Sequence, residues 1–289
     1  MQVGFHKISE LPIKSIHPNS KMLKMKTMPL MISLTLPLLC LPSFLSADDY
    51  TLSKYSCFNS ETYANGSDFA TNVNELLASL SSTLVPPTGF GEGSVGQDEN
   101  LVFGFGLCRG DIVSTSDCNT CLDMAITEIR TSCPNKRGAI YWTDLCLIKY
   151  SDVYFFEEID DTNIYNVING TLVPYPKTFD TQVNEFLSLL STQFAPANPI
   201  YYASGQININ TSTTLYGFVQ CTGDLSPTNC TSCLDFIRSK FLEDRLGTRG
   251  ARIGCGSCVL RYELYHIIFG ARAIHNMVSN NNGLSYVTK

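Results

Sequence analysis

Three cysteines fall within thirteen residues in CTGDLSPTNCTSCLD: Cys221, Cys230 and Cys233. Thiols at that spacing can hold a tetrahedral metal, run redox chemistry through a Cys-x2-Cys pair, or close into disulfides. A near copy lies upstream, with Cys108, Cys118 and Cys121 in CRGDIVSTSDCNTCLD, so the chain uses the arrangement twice. Other reactive patterns are sparse. GEGSVG (91–96) spells G-x-G-x-x-G, but a dinucleotide turn needs a strand before it and a helix after it. Pro86 and Pro87 precede it instead, so a loop is expected. Arg109-Gly110-Asp111 has the form of an adhesion tripeptide, yet Thr222-Gly223-Asp224 stands at the matching place, and a turn accounts for both. Beyond residue 47 the histidines are His266 and His275, with no serine or cysteine in a nucleophile context near them. His266 sits among aromatic residues and reads as packing. No catalytic residue is assigned, and an enzyme is not expected.

The elements that position these cysteines repeat. FATNVNELLASLSSTLV from Phe69 matches FDTQVNEFLSLLSTQFA from Phe179, and Phe69, Val73, Leu76, Leu77, Leu80 and Leu84 form one helical stripe with Asp68 as its expected cap. LVFGFGLC and TLYGFVQC read as strands, each followed by a Gly-Asp turn and a second helix after Cys-Leu-Asp. RGAIYWTDLCLIKY and RGARIGCGSCVLRY read as paired strands. The chain is therefore a tandem of two α+β units, each a mainly antiparallel sheet with two helices on one face. The expected organisation is a first unit over 50–157, a linker over 158–173, a second unit over 174–269 and a flexible tail over 270–289.

The N-terminal stretch predicts the compartment. Lys21, Lys24 and Lys26 precede the apolar run MPLMISLTLPLLCLPSFLSA, which ends at Ala47. That is the charged start, short apolar centre and small-residue exit of a signal peptide, so residues 1–47 are read as removed on secretion. The basic region sits late, and the true start is Met22, Met25 or Met28 on this reading. Asn65, Asn169, Asn210 and Asn229 head N-glycosylation sequons. The formal net charge of the 289 residues is −6, and no basic-aromatic run follows residue 47, so nucleic acid is not an expected partner. No second long apolar run follows either. The mature protein is expected to be soluble and extracellular, with no membrane span.

An oxidising compartment favours disulfides over zinc or redox use. The first unit holds Cys57, Cys108, Cys118, Cys121, Cys133 and Cys146, while the second keeps counterparts of four: Cys221, Cys230, Cys233 and Cys258. Bridges tend to vanish whole, and the second unit lacks counterparts of both Cys57 and Cys133. These two are therefore paired, leaving three arrangements for the other four. Cys255 is left over, with Thr143 at its place in the first unit. It can pair between chains, compete with Cys258 for its partner, or stay buried and free, and the last is the expectation. No cofactor or metal is assigned.

The Cys-x8-Cys-x2-Cys of the second unit, with SVGQDENLVFGFGLCRGD, LYGFVQCTGDLSPTNCTSCL and GARIGCGSCVLRYELY around it, resembles the plant ginkbilobin-homologous, salt-stress-response/antifungal domain. The resemblance covers about residues 52–269; the first unit departs with nine residues between Cys108 and Cys118. It implies the pairs Cys57–Cys133, Cys108–Cys118, Cys121–Cys146, Cys221–Cys230 and Cys233–Cys258. It also implies a place among tandem secreted cysteine-rich repeat proteins, whose relatives include receptor-like kinase ectodomains. Some single-unit members bind mannose through an Asn, an Arg and a Glu, a set that can donate to and accept from sugar hydroxyls. In the first unit those positions hold Phe58, Ile140 and Ser151, so no such site is expected there. The second retains Arg252 and Glu263, and Asn169 lies near the third position. The competing reading is an Arg-Glu pair bracing neighbouring strands. The expectation is a secreted, non-enzymatic apoplastic defence or stress protein that binds cell-wall or microbial glycan through Arg252, Glu263 and Asn169. The alternative is an extracellular protein–protein interaction module. Antifungal action is implied by the resemblance.

Overall fold

The computed structural model describes residues 52–85, 89–112, 114–244 and 246–268, and the backbone of 274–280 and 283–287. The expected signal region lies outside the described residues. Residues 49–289 form one compact unit.

Its first half runs β1 (Ser53–Thr62), α1 (Asp68–Ser79), β2 (Phe90–Val95), β3 (Val102–Cys108), α2 (Thr115–Ser132), β4 (Lys136–Thr143) and β5 (Cys146–Ser151). The second half repeats this as β6 (Tyr165–Leu172), α3 (Pro176–Leu189), β7 (Tyr202–Asn210), β8 (Thr213–Cys221), α4 (Pro227–Asp244), β9 (Thr248–Gly254) and β10 (Cys258–Glu263). The first sheet has the order β1-β4-β5-β3-β2, and β6-β9-β10-β8-β7 reproduces it in the second. β11 (Ile274–Asn280) and β12 (Gly283–Val287) extend the second sheet, β11 pairing parallel to β7.

Several local expectations change. GEGSVG is an edge strand, not a loop: each residue from Phe90 to Val95 pairs with β3, where Gly104 and Gly106 leave room for Leu76, Val85 and Leu122 above them. Within the expected linker, residues 165–172 form the strand β6. The expected loose tail contains β11 and β12. Ser67, rather than Asp68, caps α1 by accepting from the Ala70 amide at 3.2 Å. Asp68 instead opens the helix, where its charge suits the positive helix end.

Alternation along the strands makes two layers. Ala139, Tyr141, Ile148 and Tyr150 face α1 and α2, joining Phe69, Val73, Leu76, Leu77, Leu122 and Ile129 in the first core. The second core repeats this with Phe186, Leu187, Leu234, Ile237, Ala251, Ile253, Leu260 and Tyr262. The helix-free faces meet in a seam. There Phe105, Leu107, Ile140, Trp142 and Leu147 pack with Tyr165, and Val259 lies against them. The Trp142 ring lies 5.2 Å from that of Tyr165, and its Nε1 donates to the Cys255 carbonyl at 3.1 Å. Gln220 donates to the Cys108 carbonyl and accepts from the Gly110 amide across the same seam.

Candidate functional site

The cysteines are staples. Disulfides join Cys57 to Cys133, Cys108 to Cys118, Cys121 to Cys146, Cys221 to Cys230 and Cys233 to Cys258. In each half the last two pin β3 or β8, and β5 or β10, to the helix between them. Cys255 is buried and free. Its Sγ lies 3.4 Å from that of Cys233 and 3.6 Å from that of Cys258. Two of these three sulfurs are bonded to each other, so the cluster offers one thiol rather than the donor set a thiolate metal site needs. Thr143 explains the arrangement. Its Oγ1 stands 3.1 Å from Cys121 Sγ, accepts from the Cys146 amide at 2.8 Å and sits in the matching turn. Cys255 is a sulfur version of that hydroxyl, and burial pushes its thiol up to about 11 despite backbone amides that favour the thiolate.

The Arg109-Gly110-Asp111 turn is not available for adhesion. Arg109 and Asp111 are buried in the seam, paired at 2.6 Å, and Arg109 lies 5.1 Å over the Phe218 ring. Gly110 is required there because a Cβ would stand 2.5 Å from Tyr202. His266 meets the Tyr216 ring edge-on at 5.1 Å; the side chain of His275 lies outside the described residues.

The expected sugar trio comes together and is closed. Asn169, Arg252 and Glu263 line one cavity with Leu52, Val167 and Arg261. Strand register identifies the Asn position, which no cysteine anchors. Asn169 pairs with Gly250 as Phe58 pairs with Gly138, and Ile168 takes the place of Cys57. The cavity measures about 10 Å³, room for about one water, far below a hexose. The lid comes from the other half. Asp144, in the β4–β5 turn, forms ion pairs with Arg252 and, at 3.5 Å, with Arg261. The Leu52 amide donates to the other Asp144 oxygen at 2.9 Å. Glu263 is held by Arg261 at 3.1 Å, and burial pushes its carboxyl above the usual range against the pull of Arg261. Burial likewise lowers Arg252. The charged groups are tied across the seam: Arg252 pairs with Asp144 of the other half, where the competing reading expected Glu263 on a neighbouring strand, and Glu263 pairs with Arg261 instead. Asp144 could not be read from the trio, because it belongs to the other repeat.

The equivalent place in the first half is open. A cleft of about 440 Å³ there is lined by Phe58, Asn59, Ser151, Tyr154, Phe155 and Glu158, among others. Lys149 forms its floor, buried, 4.2 Å over the Phe155 ring and bonded to Asp160 at 2.8 Å. Tyr154 is 55% exposed. Lacking the Asn-Arg-Glu set, this half is not expected from sequence to hold a mannose site of that kind. The aromatic residues contributed by the segment after β5 give no signal along the chain, because their approach to Phe58 is a tertiary contact.

Fold and disulfides thus define a stapled tandem of sheet-and-two-helix modules joined face to face. The Salt stress response/antifungal family model matches residues 56–153 and 169–265, and the chain belongs to that family. It is 45% identical over 212 residues to an antimicrobial ginkbilobin-2-like protein of Castanea crenata, covering 73% of this chain and 87% of that one. It is 40% identical over 208 residues to cysteine-rich repeat secretory protein 38 of Arabidopsis thaliana, covering 72% and 81%. The tandem DUF26 ectodomain of the Arabidopsis thaliana cysteine-rich receptor-like protein PDLP8 superposes with a TM-score of 0.64 at 26% identity, over 74% of this chain and 98% of that one. The protein is a secreted, extracellular member of this family. Among the described residues, no helix is long and apolar enough to cross a membrane.

Proposed function

We propose that the chain is a non-enzymatic extracellular defence protein that recognises glycan through the open aromatic cleft of its first half. The observation that carries this reading is the contrast between the two equivalent places. The second holds the hydrogen-bonding trio in a cavity of about 10 Å³ spanned by Asp144, while the first offers about 440 Å³, within the range of ligand sites. Phe58, Phe155 and Tyr154 supply flat faces for the C–H side of a sugar, and Asn59 and Glu158 supply an amide and a carboxylate for its hydroxyls. The antimicrobial name of the Castanea crenata relative supports a role against microbes.

The test is glycan-array screening of the disulfide-intact protein, followed by titration with the best saccharide. Tyr154→Ala is expected to weaken binding by about tenfold, the loss of one aromatic contact, and Glu263→Gln to leave it unchanged. Absence of saccharide binding at millimolar concentration, or loss on Glu263→Gln with Tyr154→Ala silent, overturns the reading. A second reading, an extracellular protein-interaction module, is favoured by the likeness to a receptor-like ectodomain. It predicts capture of extracellular proteins by a chain that binds no sugar.

A further inference from the structure

A second open cleft lies on the far side of the second half, where the end of β6 enters α3. It measures about 630 Å³, with Phe179, Ile209 and Leu264 among its apolar lining, and Tyr175, Arg249 and Asn210 also border it. Tyr175 is 83% exposed. It occupies the N-cap position of α3 with φ 58° and makes no side-chain cap, whereas Ser67 caps α1 with its hydroxyl. A tyrosine in the left-handed region costs about 1 kcal/mol or more, and its ring, turned to solvent beside the 64% exposed Leu172, forms part of an apolar patch. Such patches mark contact surfaces.

We infer that the occupant is the protein's own sugar: Asn210 carries an N-linked glycan whose first residues seat in this cleft against Tyr175. Asn210 is exposed at the end of β7 and is itself part of the cleft wall. Its Oδ1 accepts from the Ser212 amide at 2.9 Å and the Ser212 hydroxyl at 3.0 Å, so the sequon's hydroxyl already lies on the acceptor amide. The other sequons are placed differently. The Asn229 amide donates to the Glu157 carbonyl at 3.1 Å, and its neighbour Cys230 is a half-cystine within α4. Asn169 borders the closed trio cavity, and Asn65 lies in the turn before α1.

The transfer is the one the secretory pathway performs from a polyprenyl-diphosphate-linked oligosaccharide. Asn210 Nδ2 bonds to C1 of the first sugar, the C1–O bond to the diphosphate breaks, the amide gives up one proton, and the polyprenyl diphosphate leaves. Once tethered, the first sugars meet the cleft at high effective concentration, so weak contacts suffice. The C–H face of a pyranose matches the Tyr175 ring, its acetamido methyl matches Ile209 and Leu264, and its hydroxyls match Arg249 and Gln182, which also lines the cleft. This inference does not depend on the recognition cleft of the first half.

The test uses the full chain secreted from a mammalian cell line and treated, folded, with a peptide-N-glycosidase. Conversion of Asn210 to Asp is followed by peptide mass spectrometry. Asn210 is expected to be occupied, and its release is expected to be about tenfold faster in Tyr175→Ser, the equivalent of about 1.4 kcal/mol of docking. Wild type and variant should be released alike after denaturation. Arg249→Ala, an exposed position, gives a second comparison should Tyr175→Ser not be secreted. An unoccupied Asn210, or equal release rates in the folded wild type and variant, overturns the inference.

Discussion

Replacing Asp144 by alanine tests the claim that the trio is a brace. The guanidinium side chains of Arg252 and Arg261 are each 5% exposed, and the two residues are register partners on β9 and β10. Removing Asp144 leaves Arg252 without its carboxylate and sets two buried cations side by side, with Glu263 still answering Arg261. Breaking a buried pair by deleting one partner costs about 3–5 kcal/mol. Asp144 is 17% exposed, so water partly replaces it, and the lower end of the range applies, about 3 kcal/mol. For a chain of this size that is a fall in Tm of about 6–12 °C. Asp144→Asn, which can still accept from the Leu52 amide, is expected to cost less, about 2 kcal/mol. Combining Asp144→Leu with Arg252→Met removes both charges and is expected to recover at least about 1.5 kcal/mol over the sum of the single changes. The assay is urea unfolding with disulfides intact, read by Trp142 fluorescence. Should Asp144→Ala stay within about 0.5 kcal/mol of wild type, the range of an ordinary surface change, the brace would be refuted. The trio would then have to be regarded as openable.

Three further outcomes follow from particular contacts. Burial alone would raise the Asp160 carboxyl, but the Lys149 ammonium and the Asn163 side chain outweigh it and hold it down to about 2. A depressed folded value means stability present above the unfolded value near 4 and lost as pH falls towards 2. The loss should be about 1–2 kcal/mol after allowing for solvent, visible as a falling urea midpoint that Asp160→Asn abolishes. Gly110→Ala drives a Cβ to 2.5 Å from Tyr202 and should cost about 1–3 kcal/mol in the same assay; Gly170→Ala, with nothing within 4 Å, should be silent. Native alkylation should leave Cys255 unmodified, and alkylation after denaturation without reductant should add one adduct by intact mass; more than one would break the disulfide assignment.

What the sequence by itself determined is the repeat, the α+β class, the helical stripes from Phe69 and Phe179, and the Cys57–Cys133 pair, whose two halves have no counterpart in the second repeat. The remaining pairs carried over from the family coincide with the disulfides of the structure. These features are local or covalent: a period of 3.6 or 2 and a matched cysteine can be read along the chain without knowing what lies across from it. Only the tertiary structure decided what faces the helix-free sides of the sheets. Asn169 could be equated with Phe58 only through its pairing with Gly250. Gly91–Val95 became a strand because β3 offers it an antiparallel partner, despite the prolines before it. Arg252 and Glu263 carry the right chemistry for a sugar, and nothing near them in sequence indicates Asp144 or Leu52, which close over them from the other repeat. Burial is set by surfaces that meet at long sequence separation, so the same residue types can form an open site or an internal brace according to what packs upon them.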